Sequence, residues 1–104
     1  MLQNHPYDLL VEDSVKIDVK VSKMYKGTNG NFYSFNLERQ FGTCDLYILF
    51  LVDAMSRQKD VLIIPSKDVM RNTQISVGEN KSKYYRYSQK WEYIDKMVDF
   101  QNEL

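Results

Sequence analysis

The stretch that most constrains this chain is residues 5–23, His5-Pro6-Tyr7-Asp8-Leu9-Leu10-Val11-Glu12-Asp13-Ser14-Val15-Lys16-Ile17-Asp18-Val19-Lys20-Val21-Ser22-Lys23. Residues 7–11 and 15–22 are rich in β-formers and alternate with period two, and Glu12-Asp13-Ser14 between them suits a turn. A three-residue loop sets Val11 opposite Val15 and, in the same register, Asp8 opposite Asp18. Side chains two apart share a face. One face then carries Asp8, Leu10, Lys16, Asp18, Lys20 and Ser22. The other carries Tyr7, Leu9, Val11, Val15, Ile17, Val19 and Val21, apolar throughout. A slip of one residue would scramble this sorting, so the pattern fixes the register.

Folding does not ask for Asp8 against Asp18, because like charges directly opposite on a sheet destabilise it. Two readings fit the spacing. In one, Mg²⁺ offsets the repulsion, since it takes oxygen ligands and usually one or two carboxylates. Lys20 then stabilises developing negative charge. In the other, the face is solvated and Lys20 pairs with Asp18.

The run Pro6-Tyr7-Asp8, followed after nine residues by Asp18-Val19-Lys20, resembles the PD-(D/E)XK motif of the restriction-endonuclease-like nuclease superfamily. Asp8 opens an apolar strand and Ile17-Asp18-Val19-Lys20 lies inside the next, as in that motif. The layout further on is similar too, in Phe32-Tyr33-Ser34-Phe35-Asn36-Leu37, Cys44-Asp45-Leu46-Tyr47, Ile64-Pro65-Ser66 and Ser82-Lys83-Tyr84. The resemblance implies an α+β, restriction-endonuclease-like fold: a mixed sheet of about five or six strands with a C-terminal helix packed on it. It implies Asp8, Asp18 and Lys20 as catalytic residues. Asp8, Asp18 and the carbonyl of Val19 would hold Mg²⁺, or Mn²⁺ in its place. The implied reaction is metal-dependent hydrolysis of DNA. Ser22, Lys23, Lys83 and Arg86 are the candidate nucleic-acid contacts. Members of the family usually begin with a helix that adds an acidic residue to the metal site, and only seven residues precede Asp8. By that comparison the core N-terminal helix is missing, and either the domain is minimal or a homodimer or a partner chain supplies the cover. A catalytically inactive nuclease-like module that binds nucleic acid or protein is the alternative.

Composition bounds these readings. The chain has 104 residues, enough for one domain with a modest core, and the resemblance implies that residues 1–104 form a single nuclease-like domain. One cysteine, Cys44, excludes an internal disulfide and a cysteine-based metal cluster. It opens an apolar strand and reads as a small core residue. One histidine, His5, leaves little material for a zinc site or a Ser-His-Asp arrangement. No signal peptide is visible and the longest apolar run, 46–52, is too short to span a bilayer, so no membrane association and a cytoplasmic location are expected. The formal net charge is zero, unlike that of most nucleic-acid binders, although residues 16–26 and 71–92 hold local basic patches.

Residues 26–31 read as a loop, 32–37 as a strand, 38–43 as a polar connection, 44–52 as a strand buried on both faces, and 61–64 as another stopped by Pro65. Ser66 is expected to cap a short helical turn through Met70, and residues 73–77 to form a short strand. Ser82 is expected to cap one long helix over residues 83–100, with Tyr84, Tyr87, Trp91, Ile94, Met97 and Val98 as its apolar stripe.

Overall fold

The run Leu-Tyr-Ile-Leu-Phe-Leu-Val at 46–52 has apolar side chains on both sides, so it needs cover on both faces. A computed structural model, which describes residues 7–37 and 44–103, places it at the centre of a three-layer arrangement. The strands are β1 (Leu9–Val11), β2 (Val15–Lys23), β3 (Tyr25–Gly27), β4 (Gly30–Asn36), β5 (Leu46–Val52), β6 (Gln58–Pro65) and β7 (Gln74–Gly78). Short 3-10 helices span Ser66–Val69 and Lys83–Tyr87, and helix α1 spans Glu92–Asn102.

One sheet has the order β1-β2-β5-β6 and the other β3-β4-β7. In the first, β1–β2 and β5–β6 are antiparallel and β2–β5 is parallel, so it is mixed. The second is antiparallel throughout. The α+β class is as expected, but the strands divide between two sheets instead of forming one sheet of five or six. The division occurs at Met24. Its N–H still bonds the Val52 carbonyl at 2.9 Å, after which the chain enters β3 and pairs with β4.

The outer face of the four-stranded sheet carries Val15, Ile17, Leu46, Ile48, Val61 and Ile63, all buried. Helix α1 covers it with Val98, Tyr93, Ile94 and Met97. The inner face carries Tyr47, Leu49, Leu51, Leu62 and Ile64 against Tyr33, Phe35, Ile75 and Val77 of the second sheet. Leu49 has no exposed surface, and truncating such a side chain to Ala costs about 2–5 kcal/mol. Cys44 is buried, as its setting in the sequence suggests, and burial pushes its thiol up to about 11. A thiol so held is a poor nucleophile.

The single helix expected over 83–100 is broken in two. Ser88 pairs with Leu62 as a short extension of the sheet, Gln89 adopts a φ of 57°, and its N–H bonds the Val61 carbonyl. Ser88 N–H still closes the 3-10 turn on the Tyr85 carbonyl at 3.0 Å, but at Gln89 the backbone turns to the β6 edge and the helical bonding stops. Ser82 does cap, with its hydroxyl accepting from Tyr84 N–H at 3.2 Å, but it caps the 3-10 helix alone. Of the expected stripe, Tyr87 and Val98 are buried while Trp91 is 44% exposed. Ser66 does not cap its turn. Its hydroxyl donates to the Cys44 carbonyl at 2.7 Å and ties the end of β6 to the start of β5.

Candidate metal and catalytic centre

The opening hairpin forms with Val11 opposite Val15 and Leu9 opposite Ile17. Its turn is closed by Ser14 N–H on the Val11 carbonyl at 3.0 Å, with Glu12 and Asp13 both left-handed (φ 49° and 58°). Two positive φ values match the right-handed twist of the flanking strands, although neither residue is glycine. One ladder bond carries on to Asp8, whose N–H donates to the Ile17 carbonyl at 2.8 Å. There the strand stops, and the Asp8 carboxylate itself accepts the Val19 N–H at 2.8 Å. A side chain thus takes the place of the next backbone partner.

This termination changes where Tyr7 goes. The alternation places it with Leu9 and Val11, but the chain bends at Asp8 and Tyr7 packs against the inner core cluster. Lys16 lies over its ring, 5.9 Å from the centroid. Tyr7 is therefore on the Asp18 side of the sheet. Val15, Ile17 and Val19 face α1 as expected. Val21, on the same alternation, runs past the helix and is 65% exposed.

Asp18 projects from β2 between the two sheets and is 6% exposed. Burial is the main cause that raises its pKa above the usual carboxylate value. The adjacent Asp8 carboxyl adds to the rise, and Lys20 opposes it. Lys20 Nζ lies 3.1 Å from Asp18 Oδ2, but off the direction of a proper hydrogen bond. Asp18 Oδ2 is thus buried with no hydrogen bond among the described residues. Asp8, by contrast, is exposed, so the pair opens to solvent on its side. A residue in a strand directs its N–H and C=O to the same edge. The Val19 carbonyl therefore points toward the edge where Asp8 accepts the Val19 N–H.

On β5, Tyr47 is level with Asp18, and burial raises the pKa of its phenol, with Cys44 and Asp18 as further causes. Asp45 accepts Lys16 N–H through Oδ2 at 2.8 Å and returns its own N–H to the Lys16 carbonyl. Sequence reasoning left both residues out of the site. The alternation of residues 44–52 would have placed Tyr47 on the inner face, but only the parallel β2–β5 register brings it to Asp18.

Asp8, Asp18 and Lys20 come together; the other candidates do not join them. Ser22 is buried, and its hydroxyl donates to the Lys23 carbonyl and accepts Ser34 N–H at 3.0 Å, a bolt between β2 and β4. Lys23 is exposed and follows the alternation of Val19 and Val21, so it leaves β2 on the opposite face. Lys83 and Arg86 sit on the second 3-10 helix beside β6, two strands from β2. Arg86 stacks on Tyr87 (4.8 Å to the centroid) and donates to its hydroxyl, which in turn donates to Asp68. Lys83 lies over the Tyr84 ring. Glu12 is exposed at the turn, away from Asp8 across β1. His5 and the polar connection 38–43 lie outside the described residues.

The donor set suits a hard divalent cation in kind, with two carboxylates and a carbonyl, and one of its buried oxygens, Asp18 Oδ2, has an ion pair but no hydrogen bond among the described residues. Among the described residues no group of three or more His, Cys, Asp or Glu side chains is placed to hold a metal. A cation there would take the carbonyl and water as its remaining ligands, as Mg²⁺ commonly does. Comparison with protein-family models, with characterised proteins and with solved structures gives no match to the chain. None of the described helices is long and apolar enough to cross a membrane.

Proposed function

We propose that this protein is a metal-dependent endonuclease that hydrolyses DNA phosphodiester bonds, a restriction-endonuclease-like hydrolase. The observation that carries this reading is Asp18 Oδ2, buried without a hydrogen bond beside a second carboxylate and a lysine. A buried carboxylate oxygen left in this state costs stability and calls for a functional reason.

Asp8, Asp18 and the Val19 carbonyl would hold Mg²⁺ or Mn²⁺. When bound, such an ion lowers the pKa of a coordinated water and withdraws charge from the scissile phosphate. The chain's own part is positional. Val19 N–H fixes the Asp8 carboxylate at the mouth of the site. The inter-sheet core fixes Asp18 and keeps water from its inner side. Lys20, half-buried, is held near Asp18 and presents a cation to the attacking oxygen and to the negative charge that grows on the phosphate. Exposed Lys23, Lys83 and Arg86 would act only along a substrate long enough to wrap the β6 edge. A partner chain or a second copy would complete the mouth on the Asp8 side.

The test is cleavage of supercoiled plasmid, linear duplex and single-stranded DNA with and without Mg²⁺. Cutting is expected with Mg²⁺ or Mn²⁺ and not with EDTA. Asp18→Ala and Lys20→Ala should each lower the rate by at least about a hundredfold with an unchanged circular dichroism spectrum. Full activity in Lys20→Ala overturns the mechanism. A specific observation favours a second reading, a non-catalytic binding module: the Asp18–Lys20 ion pair is already formed inside the fold. Titration with Mn²⁺ separates the two. A rise in melting temperature that disappears in Asp8→Ala supports the enzyme, and no rise supports the module.

A further inference from the structure

At the far end of β5 from Asp18, the two sheets part around a second polar opening. The level of Leu51 is four residues beyond that of Tyr47, roughly 13 Å along the strand. Two adjoining clefts, of about 450 and 300 Å³, share Tyr33, Lys59 and Glu79 in their walls. Asp60 and Tyr85 line the first, and Asp53 and Arg57 the second.

Tyr33 marks this place as more than a group of surface carboxylates. The residue is 2% exposed, its ring belongs to the inter-sheet core, and its hydroxyl reaches the clefts without a hydrogen bond from any described residue. Three carboxylates act on that phenol, Glu79, Asp53 and Asp60, and with burial they hold its proton on. Their free capacity differs. Asp53 is fully occupied by Arg57 and by the backbone N–H groups of Met55 and Arg57. Asp60 uses Oδ1 for Val61 N–H, Ser88 and Gln89, which leaves Oδ2. Glu79 uses Oε1 for Asn31, which leaves Oε2. Tyr33, Asp60, Glu79 and Tyr85 therefore line one space, with hydrogen-bonding capacity left on both carboxylates.

We propose that this cleft binds an organic cation, a primary ammonium or guanidinium group, held by Tyr33, Asp60 and Glu79. Such a group carries several N–H donors and can reach separated acceptors at once, with the aromatic wall adding cation–π attraction. A bare metal ion fits less well, since no described group of three acidic, His or Cys side chains is placed to ligate one. An anion would face the two free carboxylates. Lys59 is the one opposing charge without an ion pair among the described residues, and it is exposed on a flexible stem that can turn outward. The site stands apart from Asp8 and Asp18 and does not depend on nuclease activity.

The probes are agmatine and spermidine as free cations, and an acetyl-Gly-Arg-Gly-amide peptide as a protein-borne guanidinium. Each is titrated into the full chain at low ionic strength, with calorimetry and amide NMR as readouts. Saturable binding is expected, with the largest shifts at residues 33, 60 and 78–79. Glu79→Gln should weaken it about tenfold, the loss of one charge-assisted hydrogen bond. Tyr33→Phe, which keeps the ring, should weaken it severalfold, and Lys59→Met should tighten it. A free amine that outbinds the peptide identifies a small-molecule site, and the reverse order identifies a protein side chain as the ligand. No saturation by any of the three overturns the proposal, as does binding that is indifferent to Glu79→Gln and Lys59→Met. Because no arm measures DNA cutting, failure here leaves the endonuclease reading untouched, and failure there leaves this site untouched.

Discussion

Asp18 and Asp53 lie toward opposite ends of the central strand pair and are held in opposite ways. Asp18 is level with the beginning of β5, buried, with one oxygen ion-paired to Lys20 but without a hydrogen bond among the described residues, and its pKa is raised by that burial. Asp53 follows the end of β5 and closes a tight turn, where the Arg57 and Met55 backbone N–H groups and the Arg57 side chain lower its pKa. The same side chain is destabilising as an anion in one setting and stabilising in the other. The two carboxylates therefore differ in how far their hydrogen-bonding capacity is met, not in charge.

The largest break in this comparison comes from removing the cation beside Asp18. Lys20→Met leaves a buried carboxylate without its partner and should cost about 2–3 kcal/mol at pH 7 by urea denaturation. The loss should shrink in acid, where Asp18 takes up a proton. Next come the pH profiles. Because the folded pKa of Asp18 is raised, its contribution to stability is fully present below the unfolded value of 3.8 and is lost as pH rises through the folded value. Asp53 runs the other way, with its contribution present above 3.8 and lost as pH falls through its lowered value. Denaturation of Asp18→Asn and Asp53→Asn between pH 3 and 8 should give stability differences from the parent of opposite slope. Equal slopes would end the comparison. Ser22→Ala is a smaller test. It strands the part-buried Ser34 N–H and should cost about 1–2 kcal/mol in stability, read by urea denaturation. The smallest effect sharpens the Asp18 side through its hairpin. Asp13→Gly relieves one left-handed residue and should stabilise the fold by about 1 kcal/mol, read as a higher denaturation midpoint.

How far these features could be read from the sequence depended on whether they were local. The Val11–Val15 register follows from alternation and a polar triplet, and so does the grouping of Asp18 with Lys20. Tyr7 followed the alternation only on paper, because the Asp8 carboxylate replaced the next strand partner and bent the chain. The interruption at Ser88 and Gln89 was hidden in a good helical stripe, since the competing hydrogen bonds come from β6, more than twenty residues earlier. Ser22 looked like a solvent-facing hydroxyl because nothing near it in sequence announces β4 overhead. The division into two sheets was equally silent. It depends on a break between β2 and β3 at Met24 that no proline or glycine marks.

That break has a kinetic consequence. The hairpins β1–β2, β3–β4 and β5–β6 each join neighbours in sequence and can close on their own. The parallel β2–β5 pair cannot, because residues 24–45, including the whole β3–β4 hairpin, must first be looped out. Loop-closure entropy is spent there before the central strand pair gains any burial. The rate at which this small protein folds should therefore be set by the docking of preformed hairpins onto β5, and a core truncation such as Leu49→Ala should slow folding more than a change within the β1–β2 turn.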